Sequence, residues 1–213
     1  MIISHKYKAL YIATPKTGST SIREALKPHF EVTPQTCSKL DIPHIEEHLM
    51  PRDAKKYFEQ QNWDWDSYFK FTFVRNPWAF HLSRWNYMLK IFNGDKEYSM
   101  DNERYIWYKK EVSEIINKYK NFKNWTINAG HTLPWFSYKN WTYNLDYIGK
   151  IESAQKGIDY VSKKIGLSRI KLPHLNKSTS GHYSTYYNDE TKNIIAEAYS
   201  EDIERFNYTF ELC

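Results

Sequence analysis

The feature that most constrains this chain is an apolar, strand-like run that ends at a proline and passes at once into a helix. Tyr7–Thr14 (YKALYIAT) has the composition of a buried strand and stops at Pro15. Beyond Gly18, Thr20–Leu26 places Ile22, Ala25 and Leu26 at helical spacing, and Pro28 ends the run. The arrangement then repeats. Tyr68–Val74 (YFKFTFV) is a second strand, broken at Asn76-Pro77, and Ala79–Phe92 sets Phe80, Trp85, Leu89 and Phe92 near one helical face. Glu103–Tyr119 is a helix with a charged exterior. Asp146–Ile151 (DYIGKI) is a strand, followed by a helix over Ser153–Ile165 that Gly166 closes. Asn188–Phe206 is the last helix, started by Asn188 or Asp189. Strand, loop and helix in this recurring order predict an α/β fold with a mostly parallel sheet flanked by helices.

A length of 213 residues suits one globular domain, 1–213, and no low-complexity linker divides it. Hydrophobic residues make up 41%, enough for a core, and the 18 Tyr, 8 Trp and 11 Phe exceed what a core needs. Some of these rings belong at the surface or along a cleft, because buried Tyr and Trp tips need polar partners. Asn121–Leu145, rich in Asn, Trp and Tyr with Gly130 and Pro134, reads as a long irregular binding segment. The formal charge of +5 suits an anionic nucleotide or acidic polymer. No Lys/Arg block is long enough for a nucleic-acid arm, and no stretch approaches membrane-spanning length. Cys37 and Cys213 supply neither a disulfide framework nor zinc-ligand spacing, and a cytoplasmic setting is expected. Asn-x-Ser/Thr triplets at Asn124, Asn140, Asn176 and Asn207 then follow from an Asn-rich composition.

Two motifs fall beyond strand ends, where ligands of parallel sheets collect. The first is Pro15-Lys16-Thr17-Gly18-Ser19-Thr20-Ser21. A loop that opens a helix offers backbone N–H groups and the positive end of the helix dipole, Lys16 adds charge, and four hydroxyls add donors. The segment alone reads equally as a Ser/Thr helix cap. It is not a nucleoside-triphosphatase loop, because Lys16 precedes the only glycine. The second strand ends in Arg75 where a metal-binding Asp would be needed, which disfavours a metal-assisted triphosphate site. The second motif is Val74-Arg75-Asn76-Pro77-Trp78, with Ser83 about two helical turns further on. An Arg fork and a hydroxyl suit a phosphate dianion, although Arg75 alone could pair a structural carboxylate.

Taken together, PKTGSTS after the first strand and FVRNPW with a Ser eight residues after the Arg resemble the sulfotransferase superfamily. The likeness is greatest to the carbohydrate (2-O- and chondroitin-type) branch. WDSYFKFTFVRNPW, DYIGKIES and the C-terminal stretch from HLNKSTSGHYS to RFNYTF extend it over nearly the whole chain. The resemblance implies a three-layer P-loop-like domain and transfer of a sulfuryl group from 3′-phosphoadenosine-5′-phosphosulfate (PAPS) to an acceptor hydroxyl. The acceptor it favours is a saccharide or polysaccharide, the product nucleotide is 3′,5′-bisphosphoadenosine (PAP), and no metal is required. It implies a phosphosulfate held by Lys16, Thr17, Gly18, Ser19, Thr20 and Ser21, and a 3′-phosphate on Arg75 and Ser83. Lys177 and Ser178, within Asn176–His182, would close over the nucleotide. Members of the branch usually carry an Arg where this chain has Phe80, so Arg84 or nothing takes its place. The aromatic segment around Trp125, Trp135, Phe136 and Trp141 favours a sugar acceptor; a small alcohol, phenol or peptide Tyr stays open, as does the oligomeric state.

Among the eight histidines, the resemblance points to His48 as the general base, with His44 in reserve because Pro43 and Pro51 blur the register. Lys16 would neutralise charge developing on the leaving phosphate. The same stretch, His44-Ile45-Glu46-Glu47-His48, matches the H-x-x-E-H pattern of zinc peptidases, whose histidines share one helix face. That reading leaves both phosphate motifs unexplained. A non-catalytic nucleotide- or glycan-binding module would use the same donor residues without turnover.

Overall fold

Parallel strands β2 (Ala9–Tyr11), β3 (Phe69–Val74) and β4 (Tyr147–Lys150) lie side by side in the computed structural model, with β1 (Ile2–Ser4) antiparallel to β2 at the edge. The structure describes residues 1–95, 102–129, 138–173 and 181–212. The chain forms two compact units, each discontinuous in sequence: Met1–Arg75 with Ser137–Ser178, and Asn76–Phe136 with Thr179–Cys213.

The sheet belongs to the first unit and is mixed. The register pairs Tyr11 with Phe71 and Val74 with Lys150, so the carboxyl ends of β2, β3 and β4 lie on one side, with β3 and β4 running three residues beyond β2. Strand alternation sorts the side chains between two cores. Ile2, Ala9, Tyr11, Ala13, Phe71 and Phe73 pack on one face against Ile22 and Leu26 of α1 (Ser19–Leu26) and Ile158 and Val161 of α6 (Ala154–Lys164). Met1, Ile3, Leu10 and Ile12 face the other way, against Ala54, Tyr57 and Phe58 of α2 (Pro51–Gln60). The α/β fold with a helix-flanked sheet is therefore as expected, while β1 and α2 are additions. Three residues of β1 are too few to show a period. In α2, Pro51 occupies the first helical turn, where its missing N–H costs nothing, so this proline starts a helix and does not cut one short.

The second unit is helical: α3 (Pro77–Phe92), α4 (Asn102–Tyr119), α5 (Phe122–Ala129), α7 (Asp189–Ala198) and α8 (Ser200–Arg205). Asn76 caps α3 by accepting from the Trp78 and Ala79 N–H groups. Part of the expected irregular segment is helix α5. Phe122, Trp125 and Thr126 are buried at i, i+3 and i+4, and Asn121 Oδ1 accepts from Asn124 N at 2.9 Å. The single helix expected over Asn188–Phe206 is divided at Tyr199, whose side chain is buried. Its start is as read: Asn188 and Thr191 form a reciprocal capping box. Among the described residues no helix is long and apolar enough to cross a membrane.

Candidate functional site

The first motif takes shape where β2 runs out. The strand continues through Ile12, whose N–H donates to Phe71 O at 2.9 Å. Thr72 on β3 donates its hydroxyl to Ile12 O at 2.7 Å, so its oxygen accepts the Thr14 hydroxyl proton at 2.8 Å. This buried seam of hydroxyls locks the ends of β2 and β3 together. The chain then turns sharply. Lys16 has φ +63°, a left-handed conformation that costs a non-glycine residue about 1–2 kcal/mol. Gly18 has φ +68° and stands at the N-cap of α1, where no side chain supplies a cap. A Cβ at Gly18 would lie 2.6 Å from Ile151 Cδ1 and displace that side chain, so the left-handed backbone is the main reason for glycine there.

The six residues of the motif are not equivalent. Thr17 is fully buried and its hydroxyl donates to Thr14 O at 2.9 Å, so only its main chain is available to a ligand. Ser19 is also buried, Lys16 and Ser21 are half-buried, and Gly18 and Thr20 are exposed. No acidic residue occupies the first turn of α1. A helix start with no side-chain cap, a left-handed Lys-x-Gly turn and a first turn free of acidic residues are features that favour an anion.

Arg75 is brought to this turn. It follows the last residue of β3, its N–H donates to Tyr138 Oη at 3.0 Å, and its Nη1 donates to Lys16 O at 3.3 Å. The guanidinium therefore bridges the ends of the two parallel strands. Tyr138, which orients the Arg75 main chain, carries no local sequence signal. Ser83 is half-buried on α3 in the second unit. Lys177 and Ser178 lie outside the described residues, as do Trp135 and Phe136. Phe80 is a core residue of the second unit, edge-on to Tyr199, and Arg84 lies over the Trp125 ring at 5.8 Å. Trp125 and Trp141 are themselves buried, at 3% and 4% exposure, so neither offers the open ring face that sugar stacking requires.

His48 lies against the residues that continue β2. Its Nδ1 lies 2.6 Å from Ala13 O. A carbonyl can only accept, so Nδ1 carries the proton and the neutral ring keeps its lone pair on Nε2. The residue has exposed surface, yet the protein around it lowers its pKa. Desolvation is the main cause, opposed by the Ala13 bond and by Glu47 and assisted by Arg23 and the Met1 amino group. His44 is exposed and lies in the same segment, residues 42–50, which contains no helix. The zinc-peptidase reading is corrected on that ground, because its two histidines must share a helix face. Among the described residues no group of His, Cys, Asp and Glu side chains is arranged to hold a metal.

Arg75 thus contacts Lys16, and His48 contacts Ala13, both beyond the carboxyl ends of parallel strands. The comparisons with known proteins name the class. The profile described as the Sulfotransferase family matches residues 1–209, and the chain belongs to that family. It is 22% identical to carbohydrate sulfotransferase 10 of Xenopus laevis over 251 aligned residues, which take in all of this chain and 66% of that protein. It is also 28% identical to an uncharacterized protein of Archaeoglobus fulgidus over 118 residues, covering 55% of this chain and 84% of the other. No solved structure matches the chain.

Proposed function

We propose that residues 1–213 form one sulfotransferase domain of three-layer, P-loop-like type, which moves a sulfuryl group from PAPS to a saccharide hydroxyl. The observation that carries the reading is the Arg75 bond to the Lys16 carbonyl, which draws the two anion-binding motifs of a family member to one strand end. The donor's phosphosulfate fits the turn at Lys16–Ser21, where the helix start is uncapped and Gly18 admits close approach of the backbone. Its 3′-phosphate is assigned to Arg75 and Ser83, and Lys177 and Ser178 are assigned to closure over the nucleotide. A saccharide acceptor is favoured by the similarity to carbohydrate sulfotransferase 10.

When bound, the donor supplies the sulfuryl group and departs as PAP. The chain's own residues position and neutralise. Lys16 balances negative charge that grows on the departing phosphate, a contribution that acts mainly in the transition state. His48 Nε2 accepts the proton of the acceptor hydroxyl, a step that general bases accelerate by ~10²–10⁴-fold. Its lowered pKa keeps it unprotonated and ready at neutral pH.

Thermal shift with matched nucleotides tests the donor assignment. PAP is expected to stabilise the protein more than AMP, because only PAP offers a 3′-phosphate to Arg75 and Ser83. Equal stabilisation, or a preference for ATP with Mg²⁺, would overturn the assignment. Binding of PAP with no sulfation of any offered saccharide would reduce the protein to a binding module.

A further inference from the structure

The segment that carries His48 has no regular secondary structure, so separate anchors set its position. Ile45 is sunk in the core beneath α2. Tyr57 Oη donates to Pro43 O at 2.7 Å, and the Met1 amino group donates to Glu46 O and Glu47 O at 2.7 and 2.6 Å. One further anchor is ionic: Arg23 Nη1 lies 2.7 Å from Glu47 Oε2. Arg23 is 9% exposed and comes from α1, the helix that the Lys16–Gly18 turn opens. Glu47 immediately precedes His48. The pair joins a nearly buried guanidinium to a half-exposed carboxylate, and it ties α1 to the residue before the histidine.

We infer that Arg23 and Glu47 are a positioning pair that holds the His48 ring against the end of β2 and sets its electrostatic surroundings from α1. The inference rests on the proposed function only in naming His48 a base; the coupling itself belongs to the resting protein. The charged and titratable groups facing His48 are Arg23 from α1, the adjoining Glu47 and the Met1 amino group, whose own pKa burial lowers to about 5, with the Ala13 carbonyl as its polar contact. Arg23 disfavours the imidazolium, whereas Glu47 favours it. Arg23 also neutralises Glu47, whose carboxyl would be raised by burial but is held below its usual range by that bond and charge. Loss of Arg23 therefore removes a cation and unmasks an anion, both of which make protonation easier. Loss of the Glu47 charge acts in the opposite sense.

The experiment is NMR titration of the His48 ring in the wild type, Arg23→Gln, Arg23→Lys and Glu47→Gln, alongside pH profiles of kcat. The titration midpoint should rise in R23Q, fall in E47Q and return toward wild type in R23K. Turnover of R23Q should fall about tenfold at pH 6, short of the ~10²-fold that a 1 Å misplacement can cost, with the donor KM within about twofold of wild type. A pair that merely stabilised the fold would not move the midpoint in opposite directions in R23Q and E47Q. Midpoints that coincide in all four proteins, or shift the same way in both charge-removing variants, overturn the inference. Midpoints that separate while kcat ignores them leave the pair standing and remove His48 as the base. If R23Q does not fold, E47Q at its half-exposed position decides alone: a downward shift supports the pair and no shift overturns it.

Discussion

His48, at the end of β2 in the first unit, and His81, inside α3 in the second, are both held below the ordinary imidazole pKa, chiefly by desolvation. Their surroundings otherwise differ. His48 has an exposed surface and a ring oriented by one carbonyl, which leaves Nε2 as the accepting nitrogen. His81 is fully buried and stacked on Trp125, with centroids 4.2 Å apart and planes 7° from parallel. Thr126 gives its own proton to Phe122 O, so its oxygen accepts from His81 Nε2 at 3.1 Å. The remaining Nδ1 is buried and finds no partner among the described residues. A displaced pKa is common to a group that can do chemistry and to one that only fills space. Access to an acceptor separates them.

The sharpest way to break this comparison is to remove both rings. His48→Ala is expected to cost ~10²–10⁴-fold in kcat and to flatten the acidic limb of the pH profile. PAP binding should be nearly unchanged, measured by calorimetry. The acidic limb arises because a base must be unprotonated, so activity falls as pH drops through the lowered His48 pKa. His44→Ala is the control from the same segment, and His81→Phe, which keeps an aromatic ring over Trp125, should leave kcat close to wild type. If His44 proves the sensitive residue, the mechanism stands with a shifted register. If H81F is as damaging as H48A, access is not the distinction.

Lys16→Ala comes next, at ~10²–10³-fold in kcat, with product-nucleotide affinity largely retained. Arg75→Ala should instead raise the donor KM strongly. Steady-state kinetics separates the two, and identical behaviour would dissolve the division between charge balance and donor binding. A smaller effect is expected from Gly18→Ala, about 1–3 kcal/mol from left-handed backbone in addition to the approach to Ile151 Cδ1. Thermal denaturation measures it, and Ile151→Val in the same chain should restore only the steric part.

The smallest effect sharpens the contrast from the side of the second unit. His81 has a folded pKa well below its unfolded value, so the unfolded chain binds the extra proton. Stability from this residue is therefore constant above about pH 6.5 and falls by up to about 1.4 kcal/mol per pH unit below it. Urea unfolding at pH 7 and pH 5 should show a shallower loss in H81F than in wild type. Equal slopes would mean that protons reach His81 in the folded protein.

The parts of the site that were legible are those with a local cause. Pro15, Gly18 and the Asn76-Pro77 pair announce strand ends and helix starts within a few residues, and their conformations agree with that reading. Less legible was the division of labour inside PKTGSTS, where Thr17 and Ser19 point into the protein although they resemble their exposed neighbour Thr20. Hydroxyl residues look alike in sequence because either a carbonyl or a ligand can take their proton. The aromatic segment misled for a related reason. Trp125 and Trp141 have surfaces that suit a sugar or a core equally well, and the core took both.

By itself the sequence determined an α/β chain with a glycine turn opening a helix after one strand and an arginine after another, since each depends on neighbours along the chain. Tertiary structure alone decided that Arg75 braces Lys16 from 59 residues away and that Ala13 orients His48 across 35. It also decided that Arg23 of α1 pairs with Glu47. These contacts connect residues whose local sequences carry no record of one another. The first arises because parallel pairing of β2 with β3 brings both strand ends to one side of the sheet, and the other two because the segment that carries Glu47 and His48 packs beside α1 and the end of β2. Burial then leaves each polar group there only a few partners within reach.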